Sequence, residues 1–444
     1  MKRRALIAVA AAAVLAVSAC GSSDDSNGGG GDTGATVSDA DVTAALEKGG
    51  SITVWAWEPT LKQVVEEFSK KYPNTKVNLV NVGTGNDHYT ALQNAVSAGK
   101  GGPDLAQVEY FALPQFALGK SLAPLNGFGI ENLKNDYTPG PWASIHSGDA
   151  AYGMPMDSGP MALFYNKEVF DKHSIKVPAT WAEYAEAAKK LHAADPKAYI
   201  AADTGDAGFT TSMIWQAGGK PYQVSGTDVT INLADQGAQQ FATVWQQLIS
   251  DKLLAPISGW SDQWYKALGD GTIATLPTGA WMPANFTSGV AAGKGKWRVA
   301  PLPQWQAGGK ASAESGGSSL AIMEKSANKT LAYGFLKYAN HDEGVQVRLD
   351  NGAFPATTKE LNSPAFLDEK FDYFDGQQAN QIFAESAKNV LPGWSYLPFQ
   401  VYANSIYNDT VGKAYVSPTT LTEGLKAWQD QSAKYGTEQG FTVK

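Results

Sequence analysis

The chain is predicted to be an α/β protein with two lobes. Three observations lead there. Residues 51–110 alternate strand-like and helix-like patterning, a second such region starts near Tyr152, and 444 residues exceed one compact core.

In chain order, Ser51–Trp57 alternates apolar and polar residues and reads as a strand. Leu61, Val64, Val65, Phe68 and Tyr72 fall at helical spacing. Lys76–Val82 is a second strand, Tyr89–Ala98 a second helix and Asp104–Tyr110 a third strand. This rhythm predicts a parallel sheet with right-handed crossovers. Ligands in such sheets sit beyond the carboxyl ends of the strands. Here those ends are Trp57-Glu58, the segment Gly83–Asp87, and Glu109-Tyr110.

Around Asp157–Pro160 two short extended pieces are expected. Thr180 and Glu183 have capping-box spacing before a helix that runs to about Ala194. Helices follow near 209–217, 235–251 and 261–269. "GTIATLPTGAWM" is a strand, a turn and a new start, and "GGSSLAIM" a further strand. Ser326 is expected to cap a helix to about Ala339, with a mostly helical remainder and no internal repeats.

Met1–Arg4 carry three positive charges, and Ala5–Val17 are apolar. That run is far below the roughly 20 residues needed to span a bilayer, and it fits a secretory signal. "LAVSAC" at 15–20 is similar to a bacterial lipoprotein signal. The resemblance implies cleavage before Cys20, the only cysteine, and lipid on its sulfur. Stable anchoring needs two or more acyl chains. Residues 20–50 comprise the lipidated Cys20 and a Gly/Ser/Asp/Thr-rich tether, expected to be disordered and to reach roughly 30 Å.

Composition excludes several classes. The net charge of −8 argues against nucleic acid. Without Cys20 the body has no cysteine, which excludes disulfides, thiol-ligated metals and a catalytic thiol. The five His (His88, His146, His173, His192, His341) lack metal-ligand spacing. No G-x-S-x-G elbow or phosphate loop occurs, and "GTGNDH" lacks the third Gly of a dinucleotide loop. No cofactor or metal is expected. The 13 Trp, beside 18 Tyr and 17 Phe, exceed what packing requires.

An ordered set of segments resembles the extracellular solute-binding proteins of bacterial ABC importers, in the branch for maltose and other sugars. They are "ITVWAW", "GGPDLAQVEYFAL", "YGMPMDSGPMALFYNKEVFD", "VPATWAEYAEAAKKL", "GDGTIATLPTGAW", "GGSSLAIMEKSANKTLAYGFLKYA" and "LPGWSYLP", spread over about residues 50–430. The resemblance implies the two-lobe periplasmic-binding-protein fold, with a hinge and an interlobe ligand cleft. Crossings would lie near 155–159, 312–318 and 374–384. Lobe one would hold 51–157 plus 317–376, and lobe two 158–316 plus 377–444. A sugar ligand, permease transmembrane subunits, a lipid-held place on the outer face of the cell membrane and a monomer are the implied context.

Sugars stack C–H faces on aromatic rings and give hydroxyls to planar polar groups, so rings near carboxylates at strand ends are the candidates. The resemblance assigns Trp281 and Trp394 as stacking rings, with Tyr396 beside them. It also makes Asp157 a hydroxyl acceptor at the first crossing, and puts Asp206 and Phe209 before a cleft helix. Strand-end position adds Trp57, Glu58, Asp87, Glu109 and Tyr110. Asp104 more readily fixes its own turn, Trp215 suits core packing, and Trp260 and Trp264 are set aside. Two alternatives stay open. A secreted glycan-cleaving enzyme would use two of Asp157, Glu109 and Glu58 at about 5–10 Å. A binding protein for a peptide, polyamine or metal chelate would show a carboxylate cluster without rings.

Overall fold

The computed structural model describes residues 36–444. The signal segment and Cys20 lie outside the described residues.

The first helix, α1 (Asp39–Lys48), corrects the tether's expected extent. Ser38 and Asp41 cap it reciprocally, and Val42 and Leu46 bury one turn apart in the first core. Leu46 packs so closely on the helix Lys329–Asn340 that a Cβ on Gly334 would lie 2.8 Å from it. Two apolar side chains among polar neighbours, at i and i+4, suffice to pin a helix once a partner face exists.

β1 (Gly50–Trp55), α2 (Leu61–Lys71), β2 (Thr75–Val80), α3 (Asn86–Ala98), β3 (Leu105–Glu109) and α4 (Leu113–Leu118) follow the predicted rhythm. β1 pairs in parallel with β2 and β3. The sheet continues with Ser318–Ile322 and then Met154–Pro155, both antiparallel to their neighbours. The wholly parallel sheet is therefore limited to its first three strands. Asp104 ties this sheet together: its carboxylate accepts from Thr53 N and from Ser326 Oγ. Ser326 is thus engaged here, and Asn328 occupies the N-cap of Lys329–Asn340.

The second lobe centres on Met161–Asn166, flanked antiparallel by Thr275–Gly279 and Trp297–Pro301. Alternate residues of this strand face two cores. Met161 and Leu163 enter one with Trp181, Trp245 and Trp428. Ala162 and Phe164 enter the other with Phe286 and Trp297. The Thr180–Glu183 capping box forms and starts Trp181–Ala194.

Core membership locates the passages between lobes. Met156 belongs to the first core and Met161 to the second; Ala313 belongs to the second and Leu320 to the first. These two passages lie side by side: Ser315 N donates to Gly159 O at 2.7 Å, and Met156 N to Ser318 O at 2.8 Å. The third passage departs from expectation. Val345, Leu349 and Phe354 already pack in the second lobe's outer core, Ala356 packs in the first core, and Leu361, Phe366, Tyr373 and Phe374 all join the outer core. The segment 317–376 thus passes between the lobes over about residues 345–361, where side chains of the two cores alternate, and from Leu361 on its apolar side chains pack with Ala162 and Phe164.

Candidate ligand cleft

β3 delivers Glu109 to the gap, directly opposite Ser318 on the neighbouring strand. Tyr89, from α3, receives a hydrogen bond from Glu109 N at 2.9 Å and donates to Glu109 Oε2 at 3.1 Å. Burial pushes the Glu109 carboxyl up to about 8, and the charges of Asp206 and Asp157 push the same way against the Tyr89 bond. Gly316 has φ +71°, and a Cβ there would stand 3.3 Å from Trp281 Nε1 and 3.8 Å from Glu109 Oε1. A glycine at this turn therefore lets the Trp281 indole and the Glu109 carboxylate approach one point. Trp281 Nε1 donates to Ser315 O at 2.7 Å, which anchors the indole to the second crossing and leaves the ring partly exposed.

The first lobe's wall continues with Trp57, which meets the ring of His88 at 4.7 Å edge-on. Of the residues after β2, His88 is the buried one, while Asp87 stands exposed in the first turn of α3. Burial holds His88 down at about 4, so it is neutral, and neither ring nitrogen has a partner.

Three predicted polar residues prove to be committed elsewhere. Glu58 caps α2, accepting from Thr60 Oγ1 and from Leu61 N at 3.0 Å, and lies 3.9 Å from Arg348 Nε. Tyr110 is buried, and its hydroxyl donates to Asp157 O at 2.7 Å. Asp157 is itself only 5% exposed and accepts from Ser318 N at 2.6 Å, so it latches the two crossings together. Burial drives Asp157 up to about 7, and the nearby Arg348 guanidinium pulls it back.

Two residues here escaped sequence reading. Glu314 accepts from Ser158 Oγ at 3.0 and 3.1 Å and from Gly159 N at 2.5 Å, and burial lifts it to about 7. Its only signal was a lone carboxylate among small residues in "SAESGGSS". Arg348 is 2% exposed; its Nη1 donates to Met156 O, and Nε and Nη2 have no hydrogen-bond partner.

In the second lobe, Asp206 is exposed and caps the helix Ala207–Gln216 by accepting from Phe209 N at 2.8 Å. Phe209 leans into the core on Trp245, at 4.9 Å. Asp203 was also missed: it accepts from Trp245 Nε1 and Tyr415 Oη, both at 2.7 Å, beneath that helix. Trp394 stacks on Trp215 at 5.0 Å and 5°, and Trp215 Nε1 donates to Leu391 O. Tyr396 sits edge-on to Trp394 at 6.0 Å and reaches Phe111 of the first lobe at 6.3 Å. Burial, then the charges of Glu314 and Glu109, push its phenol upward. Tyr396 thus joins the two walls, beside Glu109.

The gap therefore gathers Glu109, Trp281, Tyr396, Trp394 and Asp206, with Phe111 added. Among the described residues no cluster of three His, Cys, Asp or Glu side chains is placed to hold a metal ion. Likewise no described helix is long and apolar enough to cross a membrane.

Residues 55–346 match the family model described as bacterial extracellular solute-binding protein. The ABC transporter associated binding protein from B. animalis subsp. lactis Bl-04, solved in complex with beta-1,6-galactobiose, is 46% identical with a TM-score of 0.87, covering 89% of this chain and 100% of that one. The galacto-N-biose-/lacto-N-biose I-binding protein from Bifidobacterium longum, with lacto-N-biose, is 26% identical with a TM-score of 0.76, over 89% and 99%. The lactose-binding protein of Rhizobium radiobacter is 26% identical over 408 residues, 86% of this chain and 92% of its own. With a two-lobed α/β body around a ring-and-carboxylate cleft, the chain belongs to the bacterial extracellular solute-binding protein family.

Proposed function

We propose that this protein captures a neutral mono- or oligosaccharide outside the cell for an ABC importer. The observation that carries this is the meeting of Trp281, Tyr396 and Trp394 with Glu109 in one interlobe gap. The saccharides named in the solved complexes of relatives support the same class.

The chemistry follows from the geometry. Indole faces stack on sugar C–H surfaces, each ring contributing about 1 kcal/mol beyond area burial. Glu109, held protonated at neutral pH, both donates to and accepts from hydroxyls. Asp206, exposed across the gap, only accepts. A ligand touching both walls binds the closed arrangement better and shifts the hinge equilibrium toward it. Permease subunits would read that closed shape, and a single chain would suffice. Asp157, Glu314 and Arg348 act on the crossings, and Glu58, Tyr110 and Phe209 support the walls.

At the other end, cleavage before Cys20 and lipid on its sulfur would hold the body at the outer face of the cell membrane. "LAVSAC" supports this. Cys20→Ser should release the protein into the medium.

The decisive test is titration with β-1,6-galactobiose, lacto-N-biose, lactose and longer oligosaccharides. Trp fluorescence should change, and the melting temperature should rise in proportion to ligand excess over Kd. Silence across the panel would refute a sugar ligand, and shortened products would refute pure binding.

A further inference from the structure

A second cavity, of about 470 Å³, opens between the lobes beside the cleft. That size lies within the range of small-ligand sites. One wall is α3 and α4, with Gln115 and Phe116; the other comes from Phe399, Tyr435, Gln439 and Phe441. Phe116 belongs to the first lobe's core and Phe399 to the second's, so the cavity is bounded by both bodies.

Its chemistry is specific. No Asp, Glu, Lys, Arg or His lines it, so a charged ligand finds no partner. The rings are held firmly: Tyr435 stacks on Tyr402 at 3.6 Å and 9°, and Phe399 meets Phe441 at 5.4 Å. Gln93, Gln115 and Gln439 bring side-chain amides to this lining. A purely apolar occupant would desolvate those amides without giving them partners, which costs stability. Rings beside side-chain amides, without charge, match a molecule with both C–H faces and hydroxyls.

We infer that this interlobe groove is a second saccharide-binding site, taking a neutral sugar unit. It is distinct from the cleft and needs neither Trp281 nor Trp394. The two sites are nonetheless adjacent: Phe116 packs on Tyr89 at 5.7 Å, and the Tyr89 hydroxyl holds Glu109. A sugar that bridges α4 and the Phe399–Phe441 surface favours one relative placement of the lobes, so groove and cleft occupancy are energetically coupled.

The test is calorimetric titration of the full chain with β-1,6-galactobiose, lactose and maltotriose, supported by saturation-transfer NMR. Two events per chain are expected with a disaccharide. Leu118→Arg alters a 54% exposed side chain at the groove mouth and should abolish the weaker event without affecting folding. Gln115→Ala should weaken it about tenfold. Trp281→Ala should weaken only the stronger event. If maltotriose gives one event that Leu118→Arg weakens, a single longer chain fills both sites, and the groove is still a sugar site. A single event insensitive to both groove variants, no saccharide binding at all, or a groove that takes an apolar dye which saccharides fail to displace would overturn the inference. A stronger event unmoved by Trp281→Ala would instead refute the cleft assignment and leave the groove result intact.

Discussion

Glu109→Gln should make the protein relatively more stable as the pH rises. In the unfolded chain this carboxyl releases its proton near 4.5, whereas burial in the folded state holds it to about 8. Between those values the folded state binds more protons than the unfolded one. Stability is then fully present below 4.5 and declines as pH rises through 8. At 1.36 kcal/mol per pH unit, the full span corresponds to about 5 kcal/mol. Glu109 is partly exposed at the gap, and solvent screening there reduces the expected effect to about 2–3 kcal/mol. The substituted amide would keep an oxygen for the Tyr89 hydroxyl but carry no charge, so packing and that hydrogen bond are preserved while the pH dependence is removed. The assay is urea unfolding of both proteins from pH 4 to 9. The difference in unfolding free energy should be nearly flat below pH 4.5, grow between about 5 and 8, and level off above. Parallel curves across that range would show that the Glu109 carboxyl is not held protonated, and the hydroxyl-donor role would fall with it.

Three further outcomes are expected. Trp281→Ala and Trp394→Ala should each weaken saccharide binding by about 1–2 kcal/mol in fluorescence or calorimetric titration, with a lowered melting temperature because both half-buried indoles also pack against the second lobe. Leu46→Ala should cost about 2–4 kcal/mol in urea unfolding, because the side chain fills the contact between α1 and Gly334. Gly317→Ala should destabilise by more than about 1 kcal/mol, since φ is +96° and the new Cβ would lie 2.8 Å from the Tyr110 ring. Binding by that variant should also fall, because Tyr110 holds the first crossing.

Local signals foretold local structure. The alternation of Ser51–Trp57, the helical spacing from Leu61 and the Thr180–Glu183 box each involve residues within a few positions, and each formed. Strand-end logic marked Trp57 and Glu109 as candidates, and the family resemblance marked Trp281, Trp394 and Tyr396. It could not say which carboxylates would remain free. Glu58 became a helix cap through its near neighbours Thr60 and Leu61, a local use that strand-end position did not reveal, and Asp157 became a latch because its partner Ser318 lies far along the chain.

The order of residues was enough to fix the alternating strands and helices, the ring-rich character of the candidate contacts, and the division into two bodies. Packing in three dimensions was needed to send Ser318–Ile322 into the first sheet antiparallel, to lay Leu361–Phe374 against the second lobe, and to let Glu314 fasten one crossing to the other. Propensity and periodicity act over neighbours, whereas sheet register, burial and carboxyl protonation depend on which distant surfaces exclude water together.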